Sequence, residues 1–394
     1  MSVAADRALL GGLAPAAFLR RHWQREALLV RHARPQFGGL HTLAALIALA
    51  GRDDVESRIV VREGGRYTLA HGPFRRPEFR RLPARQWTLL VQGVNLVDAP
   101  SDALMRAFAF VPYARLDDVM VSYAAPGGGV GPHTDAYDVF LLQGTGRRRW
   151  RYGRQRDLAL VPDLPVKILR TFTPAHDAVV GPGDMLYLPP SYAHDGVALD
   201  ICTTYSIGFR AAAYSELAQH FLDALRDRVA LPGRYADPGL RPTRTPARID
   251  DAMTRTIAAA LSRIRWTPRD VAGFVGAYLS EPKPTVTFDR PARGLSPTTF
   301  SAAIDGAGVA LDRRTQLLYD DTAFYVNGEA LPPPRAGAAL LRRLANERAL
   351  GAHACRGAPQ ALRTLLHEWH GHGYLVVEPR SRRSAGRRAP RDAG

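Results

Sequence analysis

The chain has 394 residues, 46% of them hydrophobic, and its 53 Lys+Arg against 37 Asp+Glu give a formal charge of +16. That length suits two or three domains with sizeable cores, and no apolar run approaches the roughly 18 residues of a membrane-spanning helix, which excludes a helical membrane protein. The two cysteines, Cys202 and Cys355, exclude a disulfide framework or a cysteine zinc site and read as buried, reduced thiols.

The opening Met1-Ser2-Val3-Ala4-Ala5-Asp6 lacks the basic start and apolar block of a signal peptide, so a cytoplasmic location is expected. Phe18 to Trp23 and Thr42 to Ala50 are the predicted early helices. Up to about residue 210, short apolar runs alternate with Gly and Pro, as in Asp118 to Tyr123, Asp138 to Gln143 and Asp184 to Leu188. That rhythm predicts the many short strands of a β-sandwich or barrel. From about 211 the period becomes helical: Leu217, Phe221, Leu225 and Val229 share one face, and Ile249, Met253, Ile257, Leu261 and Ile264 another. A third helix is expected from Thr267, with Pro268 at its first position and Asp270 completing a capping-box-like pattern ahead of Phe274, Tyr278 and Leu279. Pro282-Lys283-Pro284 reads as a linker. Beyond it come a helix near Pro297 to Ile304, two strand-like runs ending in the turn Asn327-Gly328, helices around Leu340 and Leu366, and a strand Tyr374 to Val377. This order suggests a winged-helix-like domain, a fold that serves DNA binding or plain protein contact. Arg380 to Arg391 belong to a basic tail expected to be disordered. Only Lys167 and Lys283 are lysines, and the arginine excess fits both GC-rich codon usage and an anionic partner such as RNA or a ribosome.

Chemistry concentrates at His133-Thr134-Asp135 and His194. In an extended strand, residues i and i+2 project to one face, so His133 and Asp135 point together and Thr134 away. Gly127, five residues, His133, one residue, Asp135 form a first cupin signature; Gly183, five residues, Pro189, four residues, His194 form the second. An isolated H-x-D arises by chance, but two half-motifs in order are far more specific. Two imidazoles and one carboxylate leave metal positions open, as in iron(II) oxygenases rather than structural zinc sites. The run Gly144 to Trp150 reads as a turn entering a strand, in which Arg148 faces inward while Arg147 and Arg149 face outward. An inward guanidinium needs an anion, and the distal carboxylate of 2-oxoglutarate suits its planar fork. Asp117, Asp118 and Asp138 are candidate acids near the ligand strands in sequence, and Asp117-Asp118 equally suits a solvated strand start. His176-Asp177 reads as a loop pair. In His367 to His372 the residue four beyond His367 is Gly371, so the zincin spacing fails and surface histidines at a helix end are expected.

The stretches His133 to Phe140, Gln143 to Arg151 and Pro182 to Pro190, with the entry segment Phe18 to Leu29, closely resemble the bacterial ribosomal oxygenases of the Jumonji-type (JmjC) cupin superfamily. The resemblance implies an α+β chain: a double-stranded β-helix (cupin jelly roll) at 1–210 with its core about 90–210, a helical dimerisation domain at 211–284, a winged-helix-like domain at 285–378 and the tail at 379–394. It implies an iron(II)- and 2-oxoglutarate-dependent dioxygenase, using O2, that hydroxylates the β-carbon of an arginine in the large-subunit ribosomal protein known as L-sixteen. It also implies a homodimer. His133, Asp135 and His194 match the metal ligands, Arg148 the basic residue that holds the cosubstrate, and Ser122 and Ser206 lie on strands lining the same pocket. The asparagine of the general second motif is replaced by Ala198. Alternatives sharing the iron site are hydroxylation of another residue or protein, or N-demethylation. A different class is a nucleic-acid or ribosome-binding module with an auxiliary cupin domain.

Overall fold

The structure is a computed structural model that describes residues 7–226 and 228–378. The basic tail at 379–394 and the amino-terminal reading at Met1 to Asp6 lie outside the described residues. Among the described residues, no helix is long and apolar enough to cross a membrane. The chain divides into two compact units, Met1–Ala211 with Lys283–Thr315 and Pro334–Gly394, and Ala212–Pro282 with Gln316–Pro333.

The first unit carries eleven strands ahead of residue 211: β1 (Leu28–Val30), β2 (Ser57–Glu63), β3 (Arg66–His71), β4 (Trp87–Val91), β5 (Leu116–Ala124), β6 (Val139–Gln143), β7 (Arg148–Arg154), β8 (His176–Val180), β9 (Met185–Leu188), β10 (Tyr192–Ala198) and β11 (Cys202–Phe209). They form an eight-stranded sheet in the order β1-β9-β6-β11-β5-β4-β2-β3 and a three-stranded sheet β10-β7-β8. The pairs are antiparallel throughout, as the expected jelly roll requires. The sheet starts well before residue 90, because the hairpin β2-β3 and the wholly buried β4 extend its edge.

Period-two alternation sends the two faces of the large sheet into different surroundings. Val119, Val121, Phe140, Leu142, Tyr187, Tyr205 and Ile207 pack outward with Phe18, Leu46 and Leu104 in one core. These last three come from the helices Pro15–Arg21, Leu43–Ala50 and Ala99–Arg106. The opposite face sends Val139, Leu141, Leu186 and Leu188 against Trp150, Tyr152 and Val180 of the small sheet. The first helix lies earlier than its apolar pattern suggests, since Pro15 starts it and it ends at Arg21. Trp23 lies beyond its end and stacks on Tyr187 instead, with ring centroids 6.0 Å apart.

Asp184, in the second signature, ties β9 to β1. Its Oδ1 accepts from His32 N at 2.9 Å, and its Oδ2 from Gly181 N at 3.0 Å and Arg31 Nη1 at 2.7 Å. Burial alone would raise this carboxyl, but the three donors hold it below the usual range. Asp184→Asn is expected to destabilise the fold by about 1–3 kcal/mol at neutral pH by leaving charge-assisted donors short of an anion. With the folded pKa depressed, this contribution is complete above about pH 4 and fades as pH falls below it. Denaturant melts of both proteins at pH 7 and pH 3 check this; an equal gap at both pH values would refute it.

After residue 283 the first unit adds the helices Pro297–Ala307, Ala338–Glu347, Ala352–Arg356 and Gln360–His372. It also has a three-stranded sheet in the order Ala349–Gly351, Gly308–Leu311, Leu375–Val377. Ser296 caps the first of these helices by accepting from Thr299 N at 3.2 Å. His367 departs from the surface reading: it is half-buried, bonds Leu295 O at 2.7 Å and packs on Phe300.

The second unit holds the helices Tyr214–Arg226, Asp251–Leu261 and Pro268–Ser280 and a meander of Leu317–Tyr319, Phe324–Val326 and Glu329–Leu331. Thr267 and Asp270 form the expected capping box. The turn Asn327-Gly328, both at positive φ, leads into a third strand that the sequence pattern did not announce. Phe221 packs on Trp266 and Phe274 at 5.8 and 5.3 Å.

Candidate metal centre

The site grows from the mouth of the barrel, where β10 faces the segment leading into β6. His133 and Asp135 do not sit in a regular strand as expected; His133 forms a single antiparallel bridge with His194. The bridge is closed by His133 N to His194 O at 3.0 Å and His194 N to His133 O at 2.9 Å. Gly131 has φ +85°, a left-handed backbone that breaks the extended run just ahead of His133. The two backbone bonds nevertheless put the two imidazoles side by side, with ring centroids 4.2 Å apart.

Each ring is oriented from behind. His133 Nδ1 lies 2.9 Å from Gly131 O, and His194 Nδ1 3.0 Å from Tyr192 O. A carbonyl can only accept, so each Nδ1 carries the proton and each Nε2 keeps its lone pair for a metal. Asp135 Oδ2 lies 3.7 Å from His194 Nε2. One ligand atom from each of the three residues falls within 4.8 Å of the others, the one such cluster among the described residues. Burial, and then the neighbouring His133, push His194 down to about 4, so it stays neutral and able to coordinate near neutral pH. Asp195 is buried on the opposite face of β10, where it pairs with Arg151 and takes no part.

Behind the triad, β7 and β10 pair so that Ala198 lies opposite Arg148, Gly196 opposite Trp150 and His194 opposite Tyr152. Arg148 points inward at 4% exposure, whereas Arg149 and Arg147 turn outward to Asp177 and Asp200. The guanidinium is poorly satisfied. Its Nη2 reaches Ser122 Oγ at 3.5 Å, its Cζ lies 5.6 Å from the Trp150 ring centroid, and its buried Nε has no partner among the described residues. Ser122 on β5 and Ser206 on β11 both lie on the inner face, buried, with Ser206 one residue pair nearer the mouth than Thr204, which faces Ser122. The Trp150 indole N–H, also buried, is unpaired among the described residues.

Of the three candidate acids, Asp138 is excluded from the pocket. It is fully buried on the outer core, accepting from Tyr187 Oη at 2.6 Å and Gln24 Nε2 at 3.1 Å. Asp118 is buried and pairs in register with Gly208 on β11; Asp117 is half-exposed. His176 and Asp177 lie in β8 rather than a loop, stacked on Tyr152 and paired with Arg149 respectively. Sequence reading missed Gly196, although its signal is visible two residues beyond His194: a Cβ there would meet the Trp150 ring at 2.5 Å.

Residues 103–217 match the JmjC domain family, and residues 263–376 match the ROXA-like winged helix. The chain is 34% identical over 339 residues to the ribosomal protein uL16 3-hydroxylase of Escherichia coli K12, covering 85% of this chain and 89% of that one. It is 38% identical over 210 residues to a probable ribosomal oxygenase of Haemophilus influenzae, spanning 52% of each. Among solved structures it is similar to YcfD, a ribosomal oxygenase from Escherichia coli, in complex with cobalt and 2-oxoglutarate. That match has a TM-score of 0.79 and 31% identity, over 93% of this chain and 99% of that chain.

Proposed function

The chain belongs to the JmjC-domain ribosomal oxygenases, and from that premise we propose that it is an iron(II)- and 2-oxoglutarate-dependent dioxygenase that hydroxylates the β-carbon of an arginine in ribosomal protein uL16. The observation that carries this reading is the pairing of a two-histidine, one-carboxylate cluster with a buried, unsatisfied guanidinium on the next strand. His133, Asp135 and His194 would hold the metal through Nε2, a carboxylate oxygen and Nε2. Arg148, with Ser122 beside it, would take the distal carboxylate of 2-oxoglutarate, and Ser206 would line the same pocket. With O2, the bound iron and 2-oxoglutarate supply an oxidant that converts C–H to C–OH and release succinate and CO2.

The protein's own work is orientation and exclusion of water. Ala198, opposite Arg148, is buried against Ala124 and Cys202. Toward the mouth, a Cβ at Gly208 would lie 3.5 Å from Asp118 Oδ1 and 3.9 Å from the Tyr137 ring. Asp118 and Tyr137 thus flank Gly208 on the inner face, a carboxylate beside an aromatic ring, the surroundings a guanidinium favours. Incubation with iron(II), 2-oxoglutarate and a synthetic uL16 loop peptide should add the mass of one oxygen atom to the peptide and release succinate. Succinate release that is indifferent to the peptide's arginine would sink the reading.

The proposed assembly is a homodimer. The helix Asp251–Leu261 buries none of its own side chains, and Ile257 and Leu261 are 44% and 54% exposed. An isolated helix of this length is marginal in water, so a second copy is the cover that the amphipathic face requires. Light scattering should give twice the 43.1 kDa of the chain, and Ile257→Asp with Leu261→Asp should give the monomer. A monomeric parent protein would refute this. A ribosomal substrate also places the protein in the cytoplasm, and the formal charge of +16 favours approach to an RNA-rich particle.

A further inference from the structure

Lys283, in the segment first read as a linker, reaches the two carboxylates at the start of β5. Its Nζ lies 3.0 Å from Asp117 Oδ1 and 3.3 Å from Asp118 Oδ2. Asp118 Oδ2 also accepts from Gln92 Nε2 at 2.5 Å, and Arg58 Nη2 bonds Gln92 Oε1 at 3.1 Å. Among the described residues, every hydrogen bond and ion pair of the Asp118 side chain ends on Oδ2. Oδ1 faces Gly208 beside Tyr137. One oxygen is thus clamped from outside and the other is turned into the barrel.

We propose that Lys283 is a positioning residue for the guest: its ammonium, with Gln92, holds one oxygen of Asp118 so that the other is presented to a substrate guanidinium. This rests on the arginine-hydroxylase reading above. The physical reason lies in the cost of a buried carboxylate. At 3% exposure, burial pushes the Asp118 carboxyl above the usual carboxylate range, and Lys283 is the strongest influence opposing it. Asp117 adds a like charge on the same side. Arg210 lies 3.6 Å from Asp117, and Tyr137 feels Asp118, Asp117, Asp135 and Arg58. Without the ammonium, Asp118 would bind a proton more readily and rotate freely, and a neutral acid cannot pair with a guanidinium. Lys283 is 32% exposed along its side chain, so its stem reaches in from the surface while its head group is engaged.

The test measures binding of a uL16 loop peptide, and of the same peptide with citrulline replacing arginine, to protein loaded with Mn(II) and N-oxalylglycine. Parent protein, Lys283→Met and Lys283→Arg are compared by calorimetry, with 2-oxoglutarate affinity measured in parallel. Lys283→Met is expected to weaken the arginine peptide about tenfold or more, the scale of a lost charge-assisted contact, with little effect on the citrulline peptide or on 2-oxoglutarate. Lys283→Arg should recover part of the loss. In turnover, the acid limb of kcat/KM for Lys283→Met should move to higher pH, since Asp118 then ionises later. Unchanged arginine-peptide affinity would overturn the proposal. Tighter binding would overturn it too, because the ammonium would then be a competitor. Equal losses for peptide and 2-oxoglutarate would show a merely structural role. If the parent protein fails to distinguish arginine from citrulline, the arginine-hydroxylase reading itself falls.

Discussion

Asp135→Ala is expected to abolish hydroxylation while leaving the fold intact. Both histidines stay oriented in this variant, because Gly131 O and Tyr192 O hold their Nδ1 atoms and the mutual backbone bridge fixes their spacing. Two imidazoles remain, without the one anion that offsets the charge of a divalent metal. Losing an outer partner of a metal ligand costs about 10–100-fold, so loss of the ligand itself should exceed about 100-fold in metal affinity. Calorimetry with Co(II) or Mn(II) and peptide hydroxylation should fail together, while the thermal unfolding of the metal-free protein changes little. A half-exposed carboxylate with no described hydrogen bond contributes little to packing. Full turnover by this variant would remove Asp135 from the metal centre.

Arg148→Met is the second large effect, and it should act in opposite directions on binding and on stability. The guanidinium is 4% exposed, and among the described residues its Nε is unpaired and its one side-chain bond is a 3.5 Å contact to Ser122. A cation so poorly compensated destabilises the unliganded fold, and its stacking on Trp150 offsets only part of that cost. An incoming carboxylate restores the missing bonds. Removing the charge should therefore weaken 2-oxoglutarate by about 2–5 kcal/mol, or roughly 30-fold to several thousandfold. The unliganded protein should melt at the same temperature or higher, since an apolar chain of similar volume replaces an unpaired ion. Unchanged 2-oxoglutarate affinity would remove Arg148 from the cosubstrate site. A large fall in melting temperature would show that the arginine serves the fold instead.

The sequence alone determined the features that depend on local spacing. Strand periodicity placed Arg148 inward between outward Arg147 and Arg149, and the barrel obeys it because side chains alternate whatever the partner strand does. Capping chemistry set the starts at Thr42, Thr267 and Ser296, since the side-chain oxygen meets a backbone N–H within three residues. The two half-motifs likewise named His133, Asp135 and His194 together, although one lies 61 positions from another.

Tertiary structure decided whatever depended on partners distant in sequence. The H-x-D pair needed no strand to meet His194, because one bridge from His133 to β10 brings them together. Asp138, Asp117 and Asp118 are indistinguishable as acids in a string, yet the fold sends Asp138 to Tyr187 in the outer core and the other two to Lys283. Lys283 follows Asp118 by 165 positions, and no periodicity connects them. Spacing specifies which face of an element a side chain occupies. Only the closed barrel specifies what waits on that face, and the energy of a buried charge depends entirely on that neighbour.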